Sequence, residues 1–178
     1  MTVRDTLSGD DRLVPSPAAM RRVLGHFCTG VAVITGHDGQ QPHGFTCQSI
    51  TSVSLEPPYI SFCPAASSTS WPLIRNTGAV CVNVLANDQG SICTQFARSG
   101  TDKFSEIRWH RGHNGSPALD GALACIEADV EFEHAAGDHT IVVARVTALE
   151  AHAARDPLLF FRGGFGGFHS DAPAAKTP

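Results

Sequence analysis

Uncharged hydrogen-bonding groups are concentrated in the stretch from His43 to Pro58, which reads HGFTCQSITSVSLEPP. Its β-branched residues and hydroxyls predict an extended strand. Polar side chains nevertheless occupy both alternating sets in the middle of the stretch: Gln48 and Ser52 in one, Ser49 in the other. A strand that only covers a core would show one apolar face. The chemistry available here is therefore hydrogen bonding by neutral donors and acceptors.

A second group of hydroxyls follows a predicted strand in FCPAASSTSW: Ser67, Ser68, Thr69 and Ser70. Backbone N–H groups at a helix N-terminus, together with hydroxyls, can bind an anion without any basic side chain. Simple helix capping would need only one of the four hydroxyls, so both interpretations stay open. Together, the two segments form a polar surface that could hold a phosphate and a neutral heterocycle.

Among the titratable residues, His139 has the position most typical of a ligand contact, because it follows the predicted turn AAGD and begins a strand. A strand end beside a turn is a common place for ligand contacts. His139 is then a hydrogen-bond donor or a wall beside a ligand, or else a surface histidine next to Asp138. His43, between Pro42 and Gly44, is a weaker candidate of the same kind.

Several catalytic and binding motifs are absent. The chain has no Gly-x-Ser-x-Gly elbow and no Walker motif. The glycines of FRGGFGGFHS lack both the third glycine and the following helix of a Rossmann phosphate site. The six cysteines form no CxxC pair, so we predict buried thiols and no metal site.

The elements that must position these groups are mainly strands. Strands are predicted over 30–35, the return stretch 43–56, 59–63, 79–85, 126–134, 139–152 and 157–164. Helices are predicted over SPAAMRRVLGHF with Ser16 as N-cap, SSTSWPLIRNTG with Ser70 as cap, and NDQGSICTQFA opened by Asn87 or Asp88. Residues 98–117 are predicted to be a loop. Strands joined by turns, with few helices, favour an antiparallel barrel over a βαβ sheet.

IEADVEFEH alternates strictly between apolar and acidic residues. This period predicts one inward and one outward set. The inward set is Ile126, Ala128, Val130 and Phe132, and the outward set is Glu127, Asp129, Glu131 and Glu133.

Length and charge limit the function. The chain has 178 residues and a formal net charge of −4, which favours one domain and argues against a nucleic-acid partner. No apolar run approaches the roughly 20 residues of a membrane helix, and the N-terminus lacks a secretory pattern. We expect a cytoplasmic protein with an arm over 1–15, a domain over 16–169 and a disordered tail over 170–178.

The ordered set FCTGVAVIT, GFTCQSITSVSLEPP, FCPAASSTSW, VCVNVL, GDH and PLLFFRGG resembles the short-chain flavin reductases. The resemblance runs from about Met20 to Phe168. It implies a Greek-key split β-barrel with a few short helices, a homodimer, and FMN or FAD bound near the subunit interface. It also implies NADH or NADPH as the hydride donor and a flavin-dependent monooxygenase as the recipient of reduced flavin, with ring hydroxylation of phenolic or steroid-derived compounds. Many relatives carry Ala-Asn or Ala-Ser where this chain has Cys47-Gln48, which bears on flavin preference.

The resemblance also implies site residues. For the flavin they are His43, Gly44, Phe45, Thr46, Gln48, Ser49, Cys63, Pro64, Ala65, Thr69, Ser70, Phe96 and Lys103. For the nicotinamide pocket they are His139, Phe161, Arg162 and Gly163, with His139 as the catalytic candidate. The polar strand of the opening stretch would then border a ligand. Two alternatives on the same barrel are a non-catalytic FMN-binding or sensor module and an oxidase of the pyridoxamine-phosphate type.

Overall fold

The computed structural model describes residues 13–152 and 155–168. The predicted tail and most of the predicted arm lie outside these residues. The strands are β1 (Thr29–Gly30), β2 (Ala32–His37), β3 (Pro42–Cys47), β4 (Thr51–Leu55), β5 (Pro58–Phe62), β6 (Ala79–Val84), β7 (Trp109–Arg111), β8 (Pro117–Leu119), β9 (Ala124–Ala136), β10 (His139–Ala151), β11 (Leu159–Phe161) and β12 (Gly164–Gly166). The helices are α1 (Pro17–Leu24), α2 (Trp71–Arg75) and α3 (Gly90–Ala97).

Seven strands form one antiparallel sheet in the order β3-β2-β6-β9-β10-β5-β4. Side chains from six of them meet in one buried cluster, which includes Ile34, Phe45, Phe62, Val82 and Val142. The sheet therefore curls around a common core, yet its edge strands β3 and β4 do not pair with each other. This is the predicted split barrel, and the mainly β fold class is confirmed.

Helix α2 closes the core at one end of the barrel. Its Trp71 is buried, and the Trp71 ring packs edge-on against Phe62 with ring centroids 5.4 Å apart. A second buried cluster lies outside the barrel, where Val31, Val33 and Leu85 meet Phe96 of α3. Helix α3 is thus fixed against β2 and β3, next to the polar strand end.

The helix starts were predicted with mixed success. Ser16 caps α1, since its side chain accepts a hydrogen bond from the Ala19 N–H at 3.2 Å. Ser70 precedes α2 but makes no side-chain cap bond; Ser68 accepts from the Trp71 N–H at 3.1 Å instead. Helix α3 begins at Gly90, later than Asn87 or Asp88.

Three strand predictions need correction. The return stretch 43–56 is two strands, because the chain leaves β3 at one edge of the sheet and enters β4 at the other. The segment 98–117, predicted as a loop, contains β7 and the start of β8, which pair with each other. The last strand is followed by an additional strand, β12, which folds back onto β11.

The alternation of β9 breaks at Glu127 and again near the register shift against β10, where Glu131 and Glu133, predicted outward, are only 19% and 22% exposed. Phe132, predicted inward, is 51% exposed, whereas Glu127, predicted outward, is 6% exposed. The buried Glu127 carboxylate accepts hydrogen bonds from the backbone N–H groups of His113 and Asn114 at 2.9 and 2.6 Å. The loop before β8 covers this face of the sheet at Glu127. The alternation of residues within β9 cannot predict this cover, because the loop comes from another part of the chain.

No helix in the described ranges is long and apolar enough to cross a membrane.

Candidate functional site

The break between β3 and β4 brings polar groups to the open edge of the barrel. Within it, the Ser49 hydroxyl accepts a hydrogen bond from the Cys63 N–H at 2.8 Å and lies 3.2 Å from the Cys47 sulfur. Since Cys47 ends β3 and Cys63 follows β5, one hydroxyl joins both sides of the split. The mixed polarity of this stretch therefore has a structural reason: the chain is turning out of one sheet edge toward the other.

The loop after β5 is held against the start of β10 by backbone hydrogen bonds. The Thr140 N–H donates to the Pro64 carbonyl at 3.0 Å, and the Ala66 N–H donates to the Asp138 carbonyl at 2.8 Å. His139 forms an isolated bridge with Ala65 between these two bonds. This arrangement places His139 beside the Cys63-Pro64-Ala65 segment.

A cavity of about 500 Å³ opens at this place. Predicted flavin-site residues that line it are Phe45, Thr46, Gln48, Ser49, Cys63, Pro64, Ala65, Thr69, Phe96 and Lys103, and His139 lines it as well. Cys47, Ser67, Ser68, Ala97 and Ser99 complete the lining. Lys103 is the only lysine or arginine in this described lining, which contains no aspartate or glutamate.

Lys103 forms the cationic end of this cavity. Its ammonium donates to the Gly44 carbonyl at 3.1 Å and to the Ser70 hydroxyl at 3.2 Å. Burial lowers the pKa of Lys103, because desolvation disfavours the charged ammonium. An anion placed beside it would compensate for this loss of hydration. The fold thus places a basic side chain beside the hydroxyls of residues 67–70, although this segment of the sequence contains no basic residue.

Gly44 and Ser70 do not line the cavity themselves but support Lys103 from behind. Gly44 also lies against the ring of Phe96, where an added Cβ would come within 2.6 Å of a ring carbon. A larger residue would displace Phe96 from the cavity wall. The role of Gly44 is therefore close packing of β3 against α3.

His43 is a third predicted flavin-site residue that does not line the cavity. Its Nε2 lies 2.7 Å from Asp38 Oδ2 in the β2–β3 turn. The hydrogen bond with His43 holds the pKa of Asp38 well below its usual range. His43 thus stabilises the hairpin turn at the far end of β3 from Gln48.

His139 is oriented by its neighbour Asp138. Its Nδ1 lies 2.8 Å from Asp138 Oδ1, and because a carboxylate can only accept, Nδ1 carries the proton. The same hydrogen bond lowers the pKa of Asp138. The His139 side chain is 45% exposed, and it lines the cavity.

A larger cleft of about 1880 Å³ adjoins the first cavity. Gln48, Ser49 and His139 line both. Of the predicted nicotinamide residues, His139, Arg162 and Gly163 line the large cleft, whereas Phe161 does not. Phe161 instead lies under the Arg162 guanidinium, 5.1 Å from ring centroid to Cζ.

One wall of the large cleft was missed by the sequence analysis. It is built by α1 and the segment after it, including Met20, Arg21, Arg22, Leu24, His26 and Phe27. The sequence marks 16–27 as an amphipathic helix, but gives no signal that its polar residues face a cleft formed by distant parts of the chain. Ser99 was missed for the same reason, since it lies in a segment that no pattern distinguishes.

The lining fits a flavin. The neutral strand-end groups suit a heterocyclic ring. The half-buried Lys103, held by the Ser70 hydroxyl, suits a phosphate together with the Thr69 hydroxyl. The shared wall at Gln48, Ser49 and His139 gives a second ring access to the first.

Comparison with known proteins agrees with this geometry. Residues 24–169 match the flavin reductase like domain. The chain is 46% identical over 155 residues to the reductase subunit HsaB of a flavin-dependent monooxygenase from Rhodococcus jostii, covering 87% of this chain and 80% of that one.

Two solved structures share the fold over most of their length. Nitrilotriacetate monooxygenase component B from Mycobacterium thermoresistibile superposes with a TM-score of 0.84 and 41% identity, over 90% of this chain and 92% of that one. An NADH:FAD oxidoreductase from Streptomyces globisporus, in complex with NAD and FAD fragments, superposes with a TM-score of 0.85 and 34% identity, over 91% of this chain and 99% of that one.

Proposed function

This chain belongs to the family of flavin reductase-like domains, and from that premise we propose that it transfers hydride from NADH or NADPH to FMN or FAD. The reduced flavin is supplied to a partner monooxygenase. The observation that carries the proposal is the junction of the two cavities at Gln48, Ser49 and His139. This junction allows the flavin ring and the nicotinamide ring to stack beside uncharged hydrogen-bonding groups.

The smaller cavity holds the flavin. Its ring and ribityl chain lie along Phe45, Thr46 and the strand end Gln48–Ser49, opposite Cys63, Pro64 and Ala65. Lys103 binds the phosphate together with Thr69, and the Ser70 hydroxyl holds the Lys103 ammonium in place. When bound, the flavin supplies the redox chemistry by accepting a hydride from the reduced nicotinamide.

The protein's own contribution is positioning. No nucleophile is required, so His139 acts by its Nε2 and its shape as a wall of the nicotinamide pocket, with Arg162 and Gly163 on the other side. Backbone N–H groups in the Thr46–Ser49 segment are the candidates to stabilise negative charge at the flavin.

The proposal extends to assembly and location. Helix α1 buries no residue within the described chain, and its Val23, which does not line the large cleft, is 56% exposed. A second copy of the chain covering this surface gives a homodimer. We also propose a cytoplasmic location, where reduced nicotinamides and a partner monooxygenase are available.

A steady-state assay tests the function. Purified protein is given NADH or NADPH with FMN or FAD, and nucleotide oxidation is followed by absorbance. We expect nucleotide oxidation that depends on added flavin. We also expect one nucleotide to be preferred over the other, and one flavin over the other. Flavin binding without any nucleotide oxidation would instead support the non-catalytic FMN-binding module, and absence of both would refute the flavin site.

A further inference from the structure

The large cleft carries a concentration of positive charge that the proposed hydride transfer does not use. We propose that Arg21, Arg22 and Arg162 bind the diphosphate of a dinucleotide, so that α1 distinguishes dinucleotides from mononucleotides. This inference rests on the proposed function, since it concerns the same site.

Size is the first argument. Ligand sites for small molecules have volumes of about 300–1,000 Å³, whereas this cleft has about 1880 Å³. A nicotinamide ring at His139 would fill only part of this volume. The lining includes His139 and Ser49, which also line the smaller cavity, and Arg21 and Arg22 on α1, which suits a ligand with a second half.

Charge is the second argument. The chain carries a formal net charge of −4, yet the described lining of this cleft has three arginines against a single carboxylate, Asp138. Asp138 is already hydrogen-bonded by His139. Within the described residues, no carboxylate forms an ion pair with Arg21, Arg22 or Arg162. The pKa of Asp138 is lowered first by its hydrogen bond with His139 and also by the nearby charge of Arg21, and Arg162 lies over the Phe161 ring. Positive charge still exceeds negative charge in this described lining, which favours an anionic ligand.

The arginines are also held in one place, although they come from distant parts of the chain. The Arg162 N–H donates to the Gly25 carbonyl at 3.0 Å, and the Gly25 N–H donates to the Arg21 carbonyl at 2.9 Å. An added Cβ at Gly25 would lie 2.9 Å from the Arg21 carbonyl oxygen and in ordinary contact with the Arg162 Cα, at 3.8 Å. The turn after β11 and the end of α1 are thus joined through the backbone of Gly25.

Guanidinium groups match this ligand chemistry. An arginine presents paired N–H donors to two phosphate oxygens and remains charged at any physiological pH. A diphosphate offers two adjacent anionic groups to neighbouring arginines. Two dinucleotides could supply it: the reduced nicotinamide nucleotide, or FAD through its adenylate half.

ADP-ribose isolates the diphosphate, because it has neither a nicotinamide nor a flavin ring. Its binding to the full chain is measured by titration calorimetry, for the wild type and for the double variant Arg21→Ala and Arg22→Ala. Both side chains are exposed on α1, and alanine has a high helix propensity, so the variant should keep its fold. We expect affinity to fall about tenfold, the effect of losing charge-assisted hydrogen bonds, and to fall with added salt in the wild type more than in the variant.

Arg108→Ala, a single substitution at an 88% exposed side chain outside the cleft, controls for removal of surface charge. The double variant Arg21→Lys and Arg22→Lys keeps the charge without the planar fork, and should recover part of the affinity. Equal ADP-ribose binding by the wild type and the alanine variant would overturn the proposal. So would an alanine variant that has become monomeric in sedimentation, since the arginines would then serve subunit contact.

Two further measurements identify the dinucleotide. If the nicotinamide nucleotide is held, the variant raises KM for NADH by a similar factor with FMN or FAD as acceptor, and flavin affinities stay equal. If FAD is held, its Kd rises while the Kd of FMN does not change. A protein with no flavin-dependent NADH oxidation would refute the proposed function, whereas normal turnover with unchanged KM and Kd in the variant refutes only this inference.

Discussion

At the scale of single residues, Lys103 shows how the fold changes the meaning of a side chain. In the sequence it stands alone in a polar segment. In the structure its ammonium reaches Gly44 on β3 and Ser70 before α2, at 3.1 and 3.2 Å. Burial lowers its pKa, so its positive charge is incompletely compensated, and a phosphate is the partner that would complete it.

Lys103→Met should therefore weaken FMN binding by about tenfold or more, since it removes a charge-assisted hydrogen bond. Ser70→Ala should weaken FMN binding by only about 1 kcal/mol, since it removes a hydroxyl that positions the Lys103 ammonium and leaves the charge in place. Both are measured by quenching of flavin fluorescence. Riboflavin, which lacks the phosphate, is the control ligand, and an equal loss of riboflavin affinity in Lys103→Met would remove Lys103 from the phosphate site.

His139 is expected to act on the nicotinamide more than on the flavin. His139→Ala should raise the apparent KM for NADH several-fold, about the effect of one lost hydrogen bond, with a much smaller change in flavin Kd. The matched control is His134→Ala, an exposed histidine on β9 that lines neither cavity. Equal changes in both constants would contradict the placement of His139.

At the scale of elements, the sequence predicts strands well where each strand stays in one layer. The strands β6, β9 and β10 were found near their predicted positions because their apolar or alternating patterns are continuous. The break after Cys47 was not predicted, because β-branched residues and hydroxyls continue through it into β4. Only the pairing with β2 on one side and β5 on the other separates the two strands.

The burial of Glu127 belongs to the same scale, because it depends on the loop before β8. Glu127→Gln should lower the free energy of unfolding by about 1–3 kcal/mol, since the amide replaces an acceptor that faces a backbone N–H. Urea unfolding measures this loss. Asp129→Asn, at an exposed position of the same strand, should change stability little, and equal effects of the two substitutions would contradict the role of the buried carboxylate.

At the scale of the whole molecule, the fold and much of the candidate site could be predicted, because ordered motifs along the chain carry both. What could not be predicted is what depends on distant segments meeting. The α1 wall of the large cleft is formed only when Gly25 meets the turn at Arg162. The place of His43 depends on its hydrogen bond across the hairpin to Asp38. Neither contact leaves a local pattern in the sequence.

The exposed apolar surface of α1 is expected to form part of a subunit interface. A stable interface buries about 800 Å² on each partner, and a charge placed within it is costly because it must be desolvated. Val23 is 56% exposed and does not line the large cleft, so Val23→Glu should shift a dimer toward the 18.8 kDa monomer in sedimentation velocity. Leu73→Glu, on α2, is the control and should leave the dimer intact. A monomeric wild type would refute the homodimer, whereas a dimeric Val23→Glu protein would move the interface away from α1.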